Sequence, residues 1–319
     1  MNRSFAFAFV LGLALCAAAH AQYPAKQIRV IVPFPPGGGN DIVARIVAQK
    51  LSERLKQPLV IDNRGGAGGT IGTEMLAKSP ADGYTLLINN ISLAVNATLM
   101  PKLGYDTVKD LAPVSIIGRQ PNIVVVTPGL KATTLREFLA LARSRAGELN
   151  YGTGGIGTAS HLATELLQLE TGTRMNHIPY KGLAPALVDL MGGRIDMIIS
   201  TMASALPFLE SGKLRPLAAT TLKRSSFFPQ VPTMIEAGVP GYEFTTWYAL
   251  VVPAGTPEPV MARLNGELAK LAEDASLKEQ FEKQGLEVSH TSAEEARAYL
   301  RAEVEKWGKV IKASGAKPE

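Results

Sequence analysis

Three glycine-rich stretches hold the residues best suited to chemistry in this sequence: PPGGGN at residues 35–40, GGAGGT at residues 65–70 and GTGGIGT at residues 152–158. Each follows a run of β-type residues and leads into a segment of helical period. Glycine lets a backbone approach a ligand closely and adopt positive φ. The first N–H groups of a new helix lack internal partners, and the helix dipole adds positive potential there. A strand–glycine loop–helix is therefore a ready anion site. In an open α/β sheet such loops all emerge at the carboxyl ends of the strands, where ligands bind. One loop alone reads equally well as a tight turn. Three in one chain predict an anion site built from at least two of them.

Other chemistries lack their residues. No loop ends in GK[ST], which argues against nucleotide hydrolysis. Gly155-Ile156-Gly157 runs into Thr158-Ala159-Ser160, leaving a dinucleotide fingerprint without its third glycine. There is no GxSxG elbow and no HExxH, and His161, His177 and His290 are scattered. Ser160 and His161 are adjacent, so on a helix they diverge by about 100° and cannot pair as nucleophile and base. A secreted hydrolase is thus a weak rival, and no cofactor or metal is expected. Asp41 reads as a first-turn helix residue, and Lys181 as a solvated turn residue. Asp196, inside IDMII, needs a partner or a strand end, because an unpaired buried carboxylate is costly.

The elements that must carry these loops follow from alternation. Apolar β-type runs at residues 28–34, 58–62, 84–89, 123–127, 195–199, 214–220 and 248–252 are separated by helical-period segments. That pattern predicts an α/β chain of mainly parallel sheets flanked by helices. No low-complexity linker is present, so two lobes must be joined by crossing strands, best placed at residues 116–126 and 244–252. A charged helix is expected at residues 294–313, with Ala296, Leu300, Val304 and Trp307 on one stripe.

With 46% hydrophobic and 19% charged residues over 319 positions, the composition excludes disorder and allows about two domains. The +5 formal charge is scattered without a basic stretch, which argues against a nucleic-acid partner. Residues 1–21 read as a secretory signal: Arg3, an apolar run over residues 5–19, and Ala19-His20-Ala21 as a cleavage site. That run is short of the ~20 apolar residues of a membrane span. Cleavage there removes the lone Cys16, whose lipidation Leu15 disfavours, and leaves a soluble, exported chain without disulfides.

The motifs, taken in order, resemble a known family. They are PFPPGGGNDIVAR (residues 33–45), DNRGGAGGTIGTEMLAKSPADGYTLL (62–87), YGTGGIGTASHLATELL (151–167), HIPYKGLAPALVDLMGGRIDM (177–197), VPTMIEAGVPGYE (231–243) and WYALVVPAGTP (247–257). The chain is similar to the Bug (Bordetella uptake gene) receptors, periplasmic substrate-binding proteins of tripartite tricarboxylate transporters. The resemblance implies a two-lobed periplasmic-binding-protein (Venus flytrap) fold, with lobe 1 at residues 22–122 and 245–319 and lobe 2 at 123–244. It implies a non-enzymatic receptor that holds a small carboxylate by backbone N–H groups and hydroxyls and serves membrane transport subunits; a monomer suits a receptor that must diffuse. Docking of the loaded form to a sensor kinase ectodomain is the alternative. The implied contacts are Pro36, Gly37, Gly38, Asn40, Gly68, Asn90 and Ser92 from lobe 1. Lobe 2 is expected to add Gly154, Gly157, Thr158, Ser160, His161, Asp196 and Thr201, with Trp247 near the hinge. Asn40, Leu183 and MIISTM at residues 197–202 depart from the family pattern near the pocket, which leaves the choice of carboxylate open.

Overall fold

The computed structural model describes residues 23–180, 182–225 and 228–315. The expected export signal, Cys16 and Lys181 lie outside the described residues. Strand β1 (Ile28–Val32) pairs in parallel with β2 (Leu59–Asn63) and β3 (Thr85–Asn90). Helices α1 (Gly39–Leu55) and α2 (Thr70–Ala77) make the crossovers, and α3 (Ser92–Leu99) follows β3. The long β4 (Leu111–Val126) leads to α4 (Leu135–Ser144), β5 (Asn150–Thr153), α5 (Ala159–Thr171), β6 (Asn176–Pro179), α6 (Leu183–Met191), β7 (Met197–Thr201), α7 (Met202–Glu210) and β8 (Arg215–Ala219). The chain returns through β9 (Thr245–Pro253) and closes with α8 (Glu258–Ala272), α9 (Ala275–Glu282), β10 (Glu287–Val288) and α10 (Ala293–Ser314).

The strands form one path, β2-β1-β3-β9-β4-β7-β5-β6, in which β4 belongs to both halves. It runs antiparallel to β9 as far as Pro121↔Thr245 and to β7 from Asn122↔Thr201 onward. This change of partner makes the fold two-lobed. Buried apolar side chains fill both faces of the sheet: α1, α8 and α9 cover one face of the first half, and α6 and α7 one face of the second. A third cluster, with Phe138, Leu162, Trp247 and Trp307, runs through both halves.

β4 starts five residues before its expected onset at residue 116, because a register shift between Pro113 and Ser115 absorbs a proline that cannot donate to the ladder. α7 was not anticipated from sequence, since Pro207 lies inside it and argues against a helix.

The C-terminal helix α10 is begun by a capping box from Ser292 and Glu295 and packs against α3, β4 and α5, touching elements of both halves. Its buried Glu303 carboxylate accepts the indole N–H of Trp247 at 2.7 Å and of Trp307 at 2.9 Å. Trp307 in turn lies edge-on to Phe244, just before β9. Hydrogen bonds to a charged acceptor are stronger than neutral ones. Glu303→Gln keeps an acceptor oxygen but removes its charge, so a loss of about 1 kcal/mol in urea unfolding is expected. An unchanged midpoint would show that the carboxylate adds nothing over an amide.

Candidate functional site

The carboxyl ends of β1, β3, β5 and β7 open on one cavity of about 660 Å³ between the two halves. That volume suits a small-molecule ligand. The loop at residues 34–40 and the α1 start form one wall; the loop before α5 and the starts of α6 and α7 form the other. Gln120, Thr246 and Tyr248 of the crossing strands floor it, with Gln284 and Leu286 at the rim. None of the described lining residues carries a charged side chain. A smaller cavity of about 110 Å³ adjoins it, sharing Phe34, Asn90, Thr158 and Ala159 as walls.

The helix starts divide into two kinds. α4, α9 and α10 are capped by side chains: Thr134 accepts from Glu137 N, Asp274 from Ser276 and Leu277 N, and Ser292 from Glu295 N. The other seven described helices have no side-chain cap: α2, α3 and α8, and the four whose first turns line the cavity, α1, α5, α6 and α7. Uncapped first-turn N–H groups at the positive end of a helix dipole are what an anion binds.

The lobe 1 loop is held by a side chain that stays out of the cavity. Asp41, 3% exposed, accepts from Gly37 N at 2.9 Å, Arg45 Nε at 2.9 Å and Asn63 Nδ2 at 3.0 Å. Burial pushes its carboxyl up, but the bonds from Arg45, Gly37 and Asn63 outweigh that and leave it below the usual carboxylate range. The first-turn reading of Asp41 therefore holds, and the turn it occupies serves the loop. Asn40 lines the cavity, and its buried Oδ1 has no partner among the described residues. A ligand hydroxyl or ammonium would satisfy it; with the amide reversed, a carboxylate would.

Pro36, Gly37, Gly38, Asn40, Asn90, Gly154, Thr158, Ser160 and Thr201 all line the larger cavity. Gly68, Ser92 and Gly157 line the smaller one, with Asn90 and Thr158 again. Besides Gly37, several of these glycine and hydroxyl groups are already engaged within the protein, the Thr158 and Thr201 hydroxyls by donating to Gly155 O and Ser204 Oγ. Gly154 N donates to Ser160 Oγ at 2.9 Å, Gly157 N to His161 Nδ1 at 3.2 Å, and Ser92 Oγ to Asn89 Oδ1 at 3.0 Å. The loop glycines thus shape the wall, and among the described residues the first-turn N–H groups of Ala159, Ser160 and His161 have no side-chain cap from Thr158.

Three expected contacts are corrected. His161 is behind the loop: its ring is buried, stacks on His177 at 4.4 Å and holds Gly157. Asp196 precedes β7, at the end opposite Thr201, where it accepts from Asn150 N at 2.8 Å. The cavity opens at carboxyl ends of strands, so a residue before the strand is on the far side of the lobe. Trp247 is fully buried against α10, because a two-residue period turns it away from the face shared by Thr246 and Tyr248. That same alternation would have pointed to Thr246 and Tyr248, which were not among the expected contacts. Tyr248 donates to Gln120 Oε1 at 2.9 Å, and burial raises its phenol, which keeps it a donor. Gln284 and Leu286 had no local signal, since only the fold brings them to the rim.

The chain matches the model of the tripartite tricarboxylate transporter family receptor over residues 43–316. It is 42% identical to protein BugT of Bordetella pertussis over 297 residues, 92% of this chain and 91% of that protein. Among solved structures it resembles Rpa4515 of R. palustris with adipate, at TM-score 0.82 and 39% identity over 93% of this chain and 100% of that one. It also resembles MatC of Rhodopseudomonas palustris with bound malate, at TM-score 0.79 and 29% identity over 91% and 100%. With a family match and a relative that each span most of its length, this chain belongs to the tripartite tricarboxylate transporter receptor family, a family of solute receptors and not of enzymes.

Proposed function

We propose that the chain captures a small carboxylate in the cavity between its halves and presents it to the membrane subunits of a tripartite transporter. The observation that carries this reading is the convergence of uncapped helix starts on a cavity without described charged walls. The ligand charge would then be met by the N–H groups and dipoles of α1, α5 and α7, with the amides of Asn40 and Gln120 completing the shell, while the hydroxyls of Thr158 and Thr201, which donate to Gly155 O and Ser204 Oγ, hold the turns in place. Structures of relatives with adipate and malate support a carboxylate ligand. The lobes would be residues 22–122 with 245–319, and residues 123–244, closing about the point where β4 changes partner. Export by the signal at residues 1–21 to the periplasm completes this reading. The sensing alternative gains no support from the family match, which is to a transporter receptor.

Thermal shift of the ligand-free mature chain tests it, using mono-, di- and tricarboxylates, amino acids, sugars and divalent metals. A carboxylate at about 100 times its Kd should add ~2.7 kcal/mol, or roughly 5 °C. Shifts with sugars or metals and none with any carboxylate would overturn the assignment.

A further inference from the structure

The smaller cavity differs in kind from the larger one. Its walls come from both halves: Phe34, Ile91, Leu99 and Met100 on one side, Ile156 and Ala159 on the other. Several of its polar groups are already engaged within the protein. Ser92 Oγ donates to Asn89, Asn96 Nδ2 donates to Gly68 O at 3.0 Å, and Gly157 N donates to His161. A water needs two to four polar partners to be held in such a space, and this wall has few left to offer. At about 110 Å³ it has room for roughly three groups of water size, at ~30 Å³ each.

We propose that this annex receives an apolar arm of the ligand, so that the chain selects carboxylates bearing a short alkyl or aryl segment over compact, hydroxylated or tricarboxylic ones. The inference rests on the carboxylate reading above and names the class within it. The arm leaves the larger chamber past Thr158 and Ala159, beside the α5 start that holds the carboxylate. Since both halves wall the annex, filling it favours the closed arrangement, and the arm contributes to closure as well as to affinity.

Calorimetric titration of the mature chain with acetate, butyrate, pentanoate and hexanoate, and with phenylacetate, succinate, malate and citrate, tests this. Each buried methylene should tighten Kd about fourfold until the annex is full. Phenylacetate binding tighter than acetate supports the same assignment and names a ring as the arm. In Ile156→Ser and in Met100→Ser the gain per methylene should fall below about twofold. Both residues are only half-buried, so either variant suffices if the other fails to fold. Succinate, malate or citrate binding tightly, with no gain along the alkyl series and none from the ring, would overturn the apolar-arm assignment and leave the carboxylate reading standing. No binding by any of these acids would overturn both.

Discussion

Gly157→Val is expected to leave the fold intact and weaken binding of the best carboxylate by about 5- to 150-fold. Gly157 has φ +75°, where a side chain costs about 1–2 kcal/mol in either lobe arrangement. A Cβ there would also lie 2.6 Å from Leu99 Cδ2, on a helix of the other half. Leu99 is 6% exposed and packed in the core cluster, so its side chain has little room to turn away. Overpacking of that kind costs roughly 1–3 kcal/mol and exists only while the halves are in contact, which gives the stated loss in affinity. Gly193→Val separates the two effects. It carries a similar φ of +68° but meets nothing within 4 Å, so it should lower the melting temperature alone and leave Kd unchanged. Adding Leu99→Ala to Gly157→Val should recover part of the affinity. Equal binding by Gly157→Val and the unaltered chain would show that this seam does not limit closure.

The parts of the fold that could be read from sequence were those encoded locally. Alternating apolar runs and helical periods gave the α/β architecture, and residues 35–40 and 152–158 were legible because three glycine runs before helices in one chain favour an anion site over plain turns. Placement across the fold was less legible. A carboxylate beside an apolar strand looks the same at either end, and only strand direction puts Asp196 at the far side from Thr201. Trp247 and Tyr248 are neighbours in sequence and opposites in space, one under α10 and one at the cavity floor. Gly285, with φ +63°, brings its loop against Ala203 at the start of α7, so Gln284 and Leu286 reach the rim through a contact about eighty residues away in sequence. No periodicity reports a contact of that kind.

His161 makes the loop of the second half sensitive to acid. Its ring is 5% exposed and sits in a stack with His177, which stacks in turn on Tyr151 at 4.9 Å. Burial, and then the neighbouring His177, lower its pKa from 6.5 to about 4. A depressed folded value means that the unfolded chain binds the extra proton first. The stability is therefore complete above pH 6.5 and is lost as pH falls toward 4, by about 3 kcal/mol at 1.36 per unit. Glu165, with Oε1 3.9 Å from His161 Nε2, works against this. Burial holds its carboxyl above the usual range despite the bonds from Tyr151 and Gln168, so its contribution is greatest when protonated. The comparison that isolates His161 is thus the difference between the unaltered chain and His161→Asn, whose Oδ1 can still accept from Gly157 without titrating. The melting temperatures of the two proteins should differ by a constant amount at pH 7 to 8, set by the packing lost with the ring, and that difference should change between pH 6.5 and 4, with the unaltered chain losing roughly 5–10 °C more over that range. Affinity should follow the same course. Protonation converts Nδ1 from an acceptor into a donor facing the Gly157 N–H, and the loop that carries the α5 start then loses its support. Parallel curves for the two proteins across that range would show that the buried imidazole is not the group that acid reaches first.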